Sequence, residues 1–134
     1  MNMKRSGENY QVDRIQELET KGRAVLHDAL GLTGSEISIN ELPAGVSVPF
    51  MHAHKRNEEV YIVLKGSGRF HIDGDEFEVS EGDVIRIDPS AERCIIASAD
   101  SSLRFICVQT EANSLVQFTA EDGVLLESKP SWFA

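Results

Sequence analysis

The 134-residue sequence is short of cysteine, with two, and of tryptophan, with one, and it contains no long apolar run. Cys94 and Cys107 form neither a disulfide framework nor a Cys-x-x-Cys pair, so the expectation is two free thiols in a reducing, cytoplasmic setting. No segment reaches the ~18 apolar residues of a membrane-spanning helix. The opening MNMKRSGENYQV lacks the apolar core of a secretory signal. Positive charge is scarce as well: 13 Lys and Arg stand against 22 Asp and Glu, a formal net charge of −9. Binding a phosphate backbone needs clustered cations, so neither nucleic acid nor a membrane is expected as a partner. The acidic balance serves solubility. Long amphipathic helices, internal repeats and low-complexity tracts are also missing.

What is present is a series of short β-like runs. Candidate strands cover residues 24–29, 36–42, 46–50, 59–64, 68–72, 75–79, 83–87, 94–97, 103–109 and 124–127. They are separated by Pro43-Ala44-Gly45, Lys65-Gly66-Ser67, Asp73-Gly74, Ser80-Glu81-Gly82 and Asp88-Pro89-Ser90. Asp73-Gly74 predicts a two-residue hairpin, because both turn positions favour positive φ. Many short strands at this spacing indicate an all-β sandwich or barrel in one domain of ordinary size. The expected organisation is an N-terminal arm over residues 1–20, a β-barrel domain over 21–112 and a C-terminal tail over 113–134. Within the arm, Val12, Ile15 and Leu18 recur every third residue, which predicts a short helical turn or an arm laid over the domain. The tail ends in Trp132-Phe133, a pair expected to cover a sheet edge or sit in a subunit contact.

The stretch HAHKRNEEVYIVLKG, residues 52 to 66, carries the chemistry. On a strand, His52 and His54 point to one face, where two imidazoles can meet one ion. A turn over residues 55–57 can return a carboxylate beside them, from Glu59 or its competitor Glu58. The solvated polar turn is the bland alternative. Gly45, His52, His54, Glu59 and Gly66 resemble the first motif of the cupin superfamily, G-x5-H-x-H-x(3,4)-E-x6-G, with one extra residue after Gly45. The spacing to Gly66 selects Glu59. The second motif, G-x5-P-x-G-x2-H-x3-N, is matched loosely by GDVIRIDPSAERCI, with Gly82 and Pro89 in place and Ala91 at a usual glycine. The resemblance implies a small single-domain cupin, a jelly-roll barrel or double-stranded β-helix.

The resemblance also implies a divalent metal ion (Fe, Mn, Ni or Zn) on His52, His54 and Glu59, with a histidine from the second motif as fourth ligand. This chain has none there. Counted from Pro89 the slot holds Cys94, a softer ligand; counted from Gly82 it holds Arg93, which cannot ligate but could hold an anionic substrate. A three-ligand site with open positions is the first expectation. Tyr61 and Val63 share parity with Glu59 and should line the interior, where the Tyr61 hydroxyl could reach a substrate. Cys107 reads as core and His71 and His27 as surface. Arg86 and Asp88 share a face, either as a solvated outward pair or as inward polar groups for a small acidic or hydroxylated ligand. The functional expectation is a metal-dependent enzyme, dioxygenase-like or isomerase-like, on a small soluble substrate. A non-catalytic module binding a sugar or other small ligand is the alternative, and a structural partner with a vestigial site the third. Edge protection makes a homodimer the expected assembly.

Overall fold

The computed structural model describes residues 2–16 and 18–133, apart from the side chains of residues 19 and 20. Period-two alternation dominates, and nine strands form among the described residues: β1 (Asn2–Ser6), β2 (Gln11–Arg14), β3 (Arg23–Val25), β4 (Glu36–Leu42), β5 (Asn57–Ile72), β6 (Asp75–Ser80), β7 (Val84–Ile87), β8 (Arg93–Ala97) and β9 (Leu103–Glu111). Among the described residues helix is limited to single turns, α1 (Leu18–Lys21), α2 (His27–Leu30) and a 3-10 turn at Ala120–Asp122. The nearly all-β architecture expected from the sequence holds. Among the described residues no helix is long and apolar enough to cross a membrane, which says nothing about crossing by strands.

β5 organises the barrel. Its first half pairs antiparallel with β9 and β7, and its second half with β6 and β8. β9 continues the sheet through β4 to β3. One strand thus belongs to both layers, and the bend that permits this lies at Gly66, in a left-handed conformation at φ 83° beside a register shift. Lys65-Gly66-Ser67, read from the sequence as a break between two strands, is therefore a bulge inside one continuous strand. A side chain at Gly66 would collide with the Ser102 carbonyl, so only glycine fits. Asp73-Gly74 makes the expected hairpin between β5 and β6, with both residues at positive φ.

Between the layers, Tyr61, Val63, Phe70, Ile95, Leu103 and Phe105 form the core. The Tyr61 ring meets Phe70 edge-on at 4.9 Å. Burial of side chains of this kind stabilises by about 1.5–3 kcal/mol each.

Four local expectations are corrected. Residues 24–29 do not form one strand: β3 ends at Val25 and α2 follows, closed by Gly31 in the left-handed region. Residues 46–50 form no regular strand: Pro49 has no N–H to donate, and Val46 N–H turns back to the Pro43 carbonyl at 3.0 Å. What remains is an isolated Ser47–Ile96 bridge, with Val48 N–H donating to the Ile95 carbonyl and Val46 accepting from Ala97 N–H. The arm is a β1–β2 hairpin, not a helical turn at Val12 and Ile15, because the loop after Ser6 lets Gly7 N–H donate to the Tyr10 carbonyl at 2.9 Å. Residues 124–127 are irregular and exposed.

Candidate metal centre

The histidine pair sits outside the regular strands. His52 and Arg93 exchange both backbone hydrogen bonds in an isolated antiparallel bridge, and His54 N–H donates to the Pro89 carbonyl at 2.8 Å. These clips to the segment around β8, rather than a strand of their own, turn both imidazoles to one side. Their rings meet edge-on at 5.2 Å, with Phe50 against His52 at 5.5 Å.

Glu59 comes from β5, whose alternation turns it inward and leaves Glu58 on the opposite face. The result is a carboxylate only 2% exposed, with donors on both oxygens. Oε1 accepts from Arg93 Nη1 at 2.9 Å and from the Tyr61 hydroxyl at 3.2 Å. Oε2 lies 3.1 Å from His54 Nε2 and accepts from the Cys107 thiol at 3.3 Å. One ligating atom each from His52, His54 and Glu59 lies within 4.8 Å of the others. Two imidazoles and a carboxylate suit a divalent transition metal. The residues fit such an ion on a further observation: His52 Nδ1 is buried with no hydrogen-bond partner.

Electrostatics favours a neutral His52. Burial lowers its pKa, His54, Arg93 and Arg23 add to the effect, and Glu59 opposes it. A neutral imidazole keeps a lone pair for coordination. Burial also raises the pKa of Tyr61, reinforced by Cys107 and Glu59. The Cys107 thiol is pushed up to about 12, by burial first and then by the Glu59 charge. Both therefore stay protonated and donate to the carboxylate.

The structure gathers His52, His54, Glu59 and Tyr61 along one cavity of about 970 Å³. Arg93 is not on its lining. It lies behind Glu59, 0% exposed, with Nη2 donating to the carbonyls of Asp88 at 2.6 Å and Pro89 at 3.2 Å. Its guanidinium is thus engaged within the protein wall, not presented to a substrate. Cys94, its neighbour on β8, faces the other way and stands outside the converging group. Its thiol donates to the Val48 carbonyl at 3.2 Å, within a separate, smaller pocket beside His71. Strand parity is the reason: adjacent residues cannot share a face. His71 pairs with Glu76 at 2.9 Å and Arg86 with Asp88 at 3.2 Å, both away from the cavity.

Sequence reading missed two neighbours of the site. Cys107 is core, as expected, yet its thiol touches Glu59. Arg23 reaches the cavity from β3, a strand too short and too distant in sequence to signal it.

Residues 38–109 match the cupin-domain family model. The chain belongs to the cupin family. A solved cupin protein from Bacteroides fragilis is 47% identical and superposes with a TM-score of 0.83, covering 90% of this chain and 99% of that one. An uncharacterized protein from Methanocaldococcus jannaschii is 30% identical over 86% of this cupin and 91% of its own length. An oxalate-binding protein from Thermotoga maritima is 34% identical over 51% of this cupin and 55% of its own length.

Proposed function

We propose that this cupin holds a divalent metal ion on His52, His54 and Glu59 and acts as a metal-dependent enzyme, dioxygenase-like or isomerase-like, on a small soluble substrate. The convergence of these three donor residues at the wall of one cavity carries the reading. When bound, the ion supplies Lewis acidity and open positions for substrate or dioxygen. The protein's part is positioning. Arg93 and Tyr61 hold Oε1 of Glu59 and leave Oε2 toward the imidazoles, while Phe50, Val48 and Ile95 give the cavity an apolar wall. The test is steady-state turnover of candidate hydroxy and keto acids and sugars, and oxygen uptake, with Fe(II), Mn(II), Ni(II) or Zn(II) loaded in turn. Metal-dependent turnover that disappears in His52→Ala supports the reading; tight metal binding with no turnover on any of them counts against an enzyme.

A second reading, a binding module for a sugar or other small ligand, is favoured by Arg93. Counted from Gly82 it falls in the slot where the family's second motif offers a fourth ligand, and it is an ion-pair partner of Glu59. The Thermotoga relative, named for binding oxalate, fits that reading too. The proposal extends to setting and assembly: a cytoplasmic homodimer, consistent with the free thiols of Cys94 and Cys107 and with the exposed apolar tail.

A further inference from the structure

The sheet that carries Glu59 on β5 has an inverted pattern on β4. Its isoleucines, Ile37 and Ile39, occupy one face, and the polar Ser38 and Asn40 occupy the face toward the cavity, both buried. Burying amides and hydroxyls opposite core aromatics costs stability unless they are bonded. They are bonded to one another and to a cation. Asn40 Nδ2 donates to Ser38 Oγ at 3.0 Å, and Asn40 Oδ1 accepts from Arg23 Nη1 at 3.1 Å. Register places Arg23 directly opposite Asn40, and Ser38 opposite Cys107, which is itself opposite Tyr61. This polar row therefore runs from the edge strand toward Glu59 on the cavity face.

Arg23 is the cation of this row, and it lines the same cavity as His52, His54 and Glu59. Among the described residues no carboxylate pairs with it; Glu41, the other acid on the lining, is held by Arg104 at 3.2 Å. Lys21 adds a second positive charge on the same wall. We infer that the cavity takes a small organic anion, its carboxylate or phosphate group bound by the Arg23 guanidinium that Asn40 orients, with the rest of the molecule toward His52 and His54. The inference names the ligand class of the site described above and rests on that site being a ligand pocket. Arg23 is a binding residue here, and Asn40 and Ser38 position it.

The experiment is titration calorimetry on the full chain with oxalate, malonate and succinate, with glycerol 3-phosphate, and with neutral succinamide. Each is run on the parent, Arg23→Gln and Arg23→Lys, with metal uptake measured separately by equilibrium dialysis. At least one anion is expected to bind the parent, succinamide not to bind, and Arg23→Gln to weaken binding about tenfold or more. Arg23→Lys should recover part of the loss, and metal uptake should match the parent in both variants. Preference for the carboxylates or for the phosphate ester identifies the anionic group. Equal binding by Arg23→Gln, equal binding of succinamide, or no binding of any anion at millimolar concentration overturns the inference. A parent that takes up no metal yet binds an anion through Arg23 overturns the metal reading alone.

Discussion

Glu59 and Arg93 are each almost wholly removed from water, and their contact at 2.9 Å is the buried ion pair at the back of the site. Such a pair is worth little against an apolar replacement of both partners, because desolvation offsets attraction. Breaking it is another matter. Arg93→Met leaves a buried carboxylate without its cation and is expected to cost about 3–5 kcal/mol in urea unfolding. Adding Glu59→Gln to that variant should recover most of the loss; a double variant as unstable as the single one would contradict the pairing. The arginine also cancels the carboxylate's charge, so the ligand set a divalent ion would meet is close to neutral. At this scale His52, His54 and Glu59 were legible, since their spacing and parity are local properties. Arg93 against Cys94 was not, because one inserted residue in the preceding loop shifts the count, and a shift of one reverses the face. Arg23 left no local trace: its place in the site depends on pairing with Asn40, 17 residues away.

Among the elements, β5 carries the largest share of the fold. Its sixteen residues supply Glu59 and Tyr61 from one half and Phe70 from the other. Gly66 lets one strand serve two layers. Gly66→Ala is expected to destabilise by more than about 1 kcal/mol, since both the positive φ and the Ser102 carbonyl forbid a side chain. A lowered thermal midpoint checks this, and an unchanged one would mean that the bend does not depend on glycine. The same residue explains a misreading. Glycine between apolar runs signals a turn or a bulge alike, and only the partner strands β9 and β8 decide between them. The run at 46–50 is the converse, a strand-like composition whose pairing with β8 stops at one isolated bridge beside Pro49.

On the scale of the whole molecule, the tail is the anomaly. Val116, Phe118, Val124, Leu125 and Trp132 are at least 80% exposed, and Leu115, Leu126 and Phe133 are exposed as well. Trp132-Phe133 was expected to cover an edge or sit in a subunit contact, and within one chain both side chains stand mostly exposed. Exposed apolar side chains in this number suit the contact that the proposed homodimer needs. The homodimer proposed above predicts that light scattering after size exclusion gives twice the 14.8 kDa chain mass, and that cutting the chain after Ala112 shifts it toward monomer. A parent that is monomeric at micromolar concentration would contradict the assembly. The central claim, that two imidazoles and one carboxylate share a cation, is open to a more direct measurement. Elemental analysis of untagged protein, purified without chelator, should find one divalent transition metal per chain in the parent and none in His52→Ala. Metal-free parent protein that also fails to take up Fe(II), Mn(II), Ni(II) or Zn(II) on dialysis would contradict it.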